Sequence, residues 1–293
     1  MTDMITDQPY VLPDWESWGL AGLKILLFVG LLAALWELIN ALTHVDDEQE
    51  LFTRRNVPYA VVRIALVAAQ AIAMVPLLGY TTGAFWSELG TLAGWGVGIL
   101  VVLLALGAVG NRVLGVGPAP SASAGSAALP AAVVQGGFLV AAGLVFHAAL
   151  SGTAPSIGTA IASSLVFAAL GLVALLLAHV VMMTIGPFGR HVRPQGSNLA
   201  TAVMTAGVLI GLGLVLRTAI SGDFMGWGAG LAGFAVTAVA GLIGLLVLVW
   251  LIDLLIIRSR HMRDIVGRDE VLPAVVMATM VVAVSLGVSA VQF

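Results

Sequence analysis

The chain has 293 residues, of which 60% are hydrophobic and only 9% charged, with a mean hydropathy of +1.09 and a formal net charge of −3. A water-soluble domain carries about 25% charged residues, so this composition excludes a soluble fold and requires lipid as solvent. The absence of cysteine excludes disulfides, thiolate metal centres and cysteine nucleophiles, and the slightly acidic balance excludes a basic nucleic-acid-binding stripe.

Residues 1–19 form an acidic N-terminal segment whose Tyr10, Trp15 and Trp18 are suited to the membrane interface. The segment lacks the basic start and short apolar run of a signal peptide. A bilayer core needs about 20 apolar residues per helix. Eight stretches qualify, at 20–43, 58–79, 91–114, 129–151, 158–184, 198–221, 228–257 and 271–292. They predict an all-α, polytopic integral membrane protein with eight transmembrane helices. The seventh stretch exceeds the bilayer thickness and is expected to tilt. Residues 116–128 (VGPAPSASAGSAA) have the composition of a flexible linker.

Every second helix begins with related text: Val57-Pro58-Tyr59-Ala60-Val61-Val62, Leu129-Pro130-Ala131-Ala132-Val133-Val134, Leu199-Ala200-Thr201-Ala202-Val203 and Leu272-Pro273-Ala274-Val275-Val276. Proline suits this position because the first helical turn has no use for the N–H it lacks. The starts at 58, 130, 200 and 273 divide the chain into four units, 20–80, 81–152, 153–222 and 223–293. Each unit is a first helix (A), a loop and a second helix (B). A unit with two spans restores the starting side, so the four repeats are parallel. The A-to-B loops contain Arg54, Arg55, Arg112, Arg190, Arg193, Arg258, Arg260, Arg263 and Arg268, nine of the twelve basic residues. The positive-inside rule then places these loops in the cytoplasm and both chain ends outside. Lys24 and Arg217 lie near the opposite helix ends, where long side chains reach the interface.

Ionisable groups within spans are costly and are candidate functional residues. Glu37, Asn111, His179 and Asp253 each fall about 20 residues before a B-helix start. Arg63, Gln135 and Thr205 each lie five residues after one, with Ala278 and Thr279 at the fourth equivalent. This spacing predicts a polar layer at one depth, pairing Glu37 with Arg63, Asn111 with Gln135, His179 with Thr205 and Asp253 with the Thr279 region. Such a layer serves either as a cavity in which Glu37, His179 and Asp253 carry protons or cations, or as hydrogen-bonded glue between helices. His147 and His179 lie at different depths, which argues against a bis-histidine haem, and no cofactor or metal is expected. The acidic run Asp46-Asp47-Glu48-Gln49-Glu50 and the charges around Arg263, Asp264 and Arg268 read as solvated juxtamembrane loops or as contacts for lipid headgroups or a cytoplasmic partner. No phosphate-binding, zinc-protease or serine-hydrolase signature occurs, so an enzyme is not expected.

The segments Asn198-Leu199-Ala200-Thr201-Ala202-Val203 with Ala206-Gly207 and Gly211, Asp253 near the end of its helix, and the weaker echo Asn56-Val57-Pro58-Tyr59-Ala60 resemble a family of bacterial inner-membrane proteins of unknown function that includes YjfL. The resemblance implies a polytopic membrane protein with no established activity, here a tandem duplication of a two-unit form. Members are often encoded beside membrane-remodelling proteins and an ATP-grasp ligase resembling polyamine-linked enzymes, which implies envelope stress or polyamine handling as a setting. The leading expectation is movement of a small solute or ion through or beside the polar layer. The alternative is a non-transporting scaffold that recruits a cytoplasmic envelope-stress or membrane-remodelling partner. The lipid bilayer is the one certain partner, and nucleic acid is not expected.

Overall fold

The chain marks its helix starts locally. Asn56 accepts a hydrogen bond from the Tyr59 N–H (3.2 Å) and Asn198 from the Thr201 N–H (2.7 Å), so each caps the helix that follows. Pro58 and Pro130 occupy the first turns of theirs. The structure, a computed structural model, describes residues 15–43, 46–82, 84–114, 128–185, 198–255 and 261–290. These form α1 (Trp15–Thr43), a π-helical turn (Gln49–Thr53), α2 (Val57–Leu78), α3 (Phe85–Leu114), α4 (Leu129–Ala149), α5 (Ile157–Ile185), α6 (Leu199–Ile220), α7 (Trp227–Leu255), α8 (Met262–Gly267) and α9 (Val271–Ala290). All but the five-residue π-helical turn and the six-residue α8 are long and apolar enough to cross a membrane. The fold is therefore that of an all-α polytopic membrane protein, as composition and span length require.

Two helices begin earlier than their hydropathy suggests. α1 starts at Trp15, so Trp15 and Trp18 lie within the helix itself, and Trp18 is exposed. α3 starts at Phe85, which brings Glu88 into its first turn. Tyr10, the linker residues 116–127, Arg190, Arg193, Arg258 and Arg260 lie outside the described residues.

The B helices α2, α4, α6 and α9 pack side by side in chain order, and these three interfaces are the most extensive in the molecule. Each A helix sits over a seam: α3 on α2 and α4, α5 on α4 and α6, α7 on α6 and α9, while α1 packs on α2 and α3. The central α4 and α6 are consequently the most enclosed spans. Lipid supplies no hydrophobic drive between helices, so close backbone approach must hold the row together. A methyl group on Gly137 of α4 would lie 2.6 Å from Ala206 Cα of α6, and one on Gly207 of α6 would lie 2.6 Å from Ala278 Cβ of α9. Six residues further along, Gly143 meets Ala69 of α2 (2.7 Å) and Gly213 meets Ala141 of α4 (2.9 Å) in the same way. Glycine is required at these contacts because any side chain would separate the backbones.

Candidate functional site

The buried cation Arg63 organises the end of the bundle that carries the A-to-B loops. It is 2% exposed and stands one helical turn beyond Tyr59 on α2. Its Nε donates to Tyr59 Oη (3.0 Å), and Nη1 donates to the Trp36 carbonyl of α1 (3.3 Å). Nη2 donates to Asn40 Oδ1, to Asp47 Oδ1 (2.7 Å) and to Tyr59 Oη (2.5 Å). The Tyr59 hydroxyl itself donates to Asp47. The guanidinium also lies about 5 Å over the rings of Trp36 and Tyr59, where the π faces attract it. Beside this cage, buried Glu50 accepts from Arg54 Nη1 (2.5 Å) and Asn56 Nδ2 (2.8 Å).

The expected pairing of Glu37 with Arg63 does not form. Glu37 lies on the exposed side of α1, whereas Asn40, one turn further on, faces Arg63. The counter-ion comes instead from Asp47, in the acidic run expected to be solvated, because the chain after α1 folds back under the bundle. Lys24 likewise does not snorkel to the interface. It is 4% exposed and pairs with Glu88 of α3 at 2.6 Å while donating to the Tyr80 carbonyl (2.6 Å). Glu88 also accepts the Thr82 N–H at 2.5 Å, which ties the α2–α3 connection to this pair.

Asp253, at the end of α7, has a structural partner of a different kind. Its Oδ1 accepts the Met262 N–H (2.5 Å), and Oδ2 lies 3.2 Å from Nδ1 of the exposed His261. Asp253 thus pins α8 against the bundle, with Met262, Ile265 and Val266 buried beneath it. The α8–α9 connection reaches across to α6: Asn198 Nδ2 donates to the Val266 carbonyl (2.8 Å), and Asp269 accepts the Ala200 N–H (2.8 Å). Thr279, the expected neighbour of Asp253, is exposed and bonds to its own helix at Val275.

The remaining members of the layer are buried but do not meet as the spacing predicts. Gln135 donates to the Gly107 carbonyl of α3 (2.6 Å), and Gln70, seven residues beyond Arg63, donates to Gly96 of the same helix (2.9 Å). Thr205 is 1% exposed. His179 is 7% exposed, and its Nδ1 is buried without a hydrogen-bond partner among the described residues, as is Oε1 of Gln135. Asn111 lies in α3, and its side chain is outside the described residues. His147 bonds through Nδ1 to the Ile72 carbonyl of α2 (3.0 Å) and so joins two B helices. No group of three or more His, Asp or Glu placed to hold a metal occurs among the described residues.

A separate cleft of about 1810 Å³ opens at the opposite end of the bundle, among α3, α5, α7 and the B-to-A loops. None of the polar-layer residues lines it. Its rim includes the α4–α5 and α6–α7 loops, which bind each other: Phe224 N–H donates to the Thr153 carbonyl (2.9 Å), and Asp223 accepts the Thr153 N–H (2.8 Å) and hydroxyl (2.7 Å). These bonds hold the Asp223 carboxyl below its ordinary pKa, because they favour the ionised form. Gly152 and Gly222 meet in this contact with φ of 104° and 138°, a region other residues rarely adopt.

The partners that the sequence reading missed are Asn40, Asp47, Tyr59, Glu50, Glu88 and Gln70. One signal was present: Tyr59 precedes Arg63 by four residues, the spacing at which helical side chains touch. The others depend on which helices become neighbours.

Residues 156–291, which contain α5 to α9, match the family model described as Domain of Unknown Function (DUF350). No curated protein and no solved structure matches the chain.

Proposed function

We propose that this protein is a non-transporting membrane scaffold that presents its charged A-to-B loops to a cytoplasmic partner in a bacterial inner membrane. The observation that carries the reading is the closure of the Arg63 cage. A guanidinium has five N–H donors, and here it is enclosed by Tyr59, Trp36, Asn40 and Asp47 rather than by a cavity. Asp253 is likewise committed to holding α8. The cleft at the B-to-A end touches neither group. A tandem duplication also fits this role, because it builds into one chain a symmetric platform that a two-unit protein would assemble as a dimer. Its support is the recurrence of Asn caps at Asn56 and Asn198 and of glycine contacts at equal offsets in α4 and α6.

A second reading, movement of a small ion or solute, draws on the buried Nδ1 of His179 and Oε1 of Gln135, two polar atoms without partners among the described residues. Buried polar atoms are ordinarily satisfied, and water or a transported cation would satisfy them. The deciding experiment is flux of protons, monovalent cations and polyamines into proteoliposomes, with wild type and Asp253→Asn compared. The scaffold reading expects no flux above empty liposomes from folded wild type. Flux that is present in wild type and lost in His179→Ala or Asp253→Asn would overturn it.

A further inference from the structure

The cleft at the B-to-A end lies inside the span lengths of its walls. Along α3 it extends from Trp86 to Gly98, roughly 18 Å at about 1.5 Å per residue, which takes it from the interface to the middle of a bilayer. Its rim is polar, with Tyr80, Thr82, Ser151, Thr153 and Ser221, and its depth is lined by glycines and aromatic rings, Gly94, Gly98, Phe167 and Phe234, with the hydroxyls of Ser164 and Thr237 among them. Its volume of about 1810 Å³ exceeds the roughly 300–1,000 Å³ of an ordinary small-molecule pocket. The lining contains two charged residues, Arg217 and Asp223. Asp223 is engaged by Thr153. Arg217 is exposed, and among the described residues its guanidinium has no hydrogen bond or ion pair.

We infer that this cleft is a binding site for an anionic glycerophospholipid of the bilayer, with the phosphate on Arg217 and the acyl chains along the glycine face of α3. The occupant follows from three matches. A gap between helices at hydrocarbon depth is open to acyl chains. The glycines of α3 leave room for them, since a methyl group on Gly90, Gly94 or Gly98 would meet no neighbour within 4 Å. A free guanidinium at a polar rim presents paired donors that match a phosphate. The inference is independent of whether the polar layer conducts.

The test is native mass spectrometry of the purified full-length protein, equilibrated in mild detergent with equimolar phosphatidylglycerol and a phosphate-free diglucosyl diacylglycerol of the same acyl chains. Wild type is expected to retain phosphatidylglycerol about ten-fold over the glycolipid, the size of one charge-assisted bidentate contact. Arg217→Gln should abolish that preference while lipid of both kinds still binds. Gly94→Leu should remove both lipids, with the unfolding midpoint of wild type retained. Gly90→Leu, on the same face, replaces it if that variant does not fold. Equal retention of the two lipids by wild type, an undiminished preference in Arg217→Gln, or displacement by chain-free glycerol phosphate would each overturn the proposal.

Discussion

Lys24 Nζ lies 2.6 Å from Glu88 Oε2, and both side chains are almost completely buried between α1 and α3. The two residues are 64 positions apart in sequence, and neither position alone announces the other. A buried ion pair is costly to break from one side, because the surviving charge remains in low dielectric. Lys24→Met should therefore lower stability by about 3 kcal/mol, whereas the double variant Lys24→Met/Glu88→Met should recover most of that loss. A double-mutant cycle from unfolding in mixed micelles checks this, and additive losses would show that the pair is not coupled.

The same logic applies at the other end of the molecule with a different outcome. Arg63→Ala leaves Asp47 without its cation and Tyr59 without its donor, and should cost on the order of 3–5 kcal/mol. Glu37→Gln should change stability by less than about 0.5 kcal/mol, as exposed substitutions do. Equal losses from both would restore a pairing of Glu37 with Arg63. Thermal unfolding of the two variants in one detergent is sufficient.

The helix row makes a prediction that composition alone does not. Gly137→Ala and Gly213→Ala add a methyl group against backbone atoms at 2.6–2.9 Å and should each destabilise by about 1–3 kcal/mol through overpacking. Gly19, Gly22 and Gly30 of α1 have nothing within 4 Å, so alanine there should stabilise slightly through helix propensity. Unfolding free energies of these variants separate the two classes.

Arg55 and Asp269 each stand two residues before a B helix with positive φ, 49° and 54°. Both follow a short helical turn, so the first and last A-to-B loops close in the same way. Arg55→Gly should be neutral or stabilising by up to about 1 kcal/mol, because glycine carries no left-handed penalty. Arg55→Val should destabilise by at least about 1 kcal/mol. Asp269→Gly should lose stability, since it also removes the acceptor for the Ala200 N–H. The three unfolding midpoints test the assignment together.

Asp223 gives the loop contact a pH dependence. Its folded pKa is depressed by hydrogen bonds from Thr153, so its contribution is fully present above the ordinary aspartate range and disappears as the pH falls through the depressed value. Protection factors of the Thr153 and Phe224 amides, which are exchange rates divided by the intrinsic rate at each pH, should fall on acidification, and Asp223→Asn should flatten that dependence. An unchanged profile in the variant would assign the loss of protection to another group.

How far the sequence carries depends on the range of the interaction. Span number and the all-α class were legible because hydropathy is set within one segment. Burial of Arg63, Gln135, His179, Thr205 and Asp253 was legible too, since polar groups within apolar spans turn toward protein. Their partners were not. One turn of α1 decides that Asn40 and not Glu37 faces Arg63, and a fold-back of the chain brings Asp47 beneath it. The Lys24–Glu88 pair and the cleft beside Arg217 exist only because α1 meets α3 and because α3, α5 and α7 leave space at one end. Sequence by itself determined that lipid is the solvent, because apolar content fixes that without reference to geometry. Tertiary structure alone decided which charges meet, because a charge is neutralised by whatever lies within a few ångströms and not by what lies nearby in the chain.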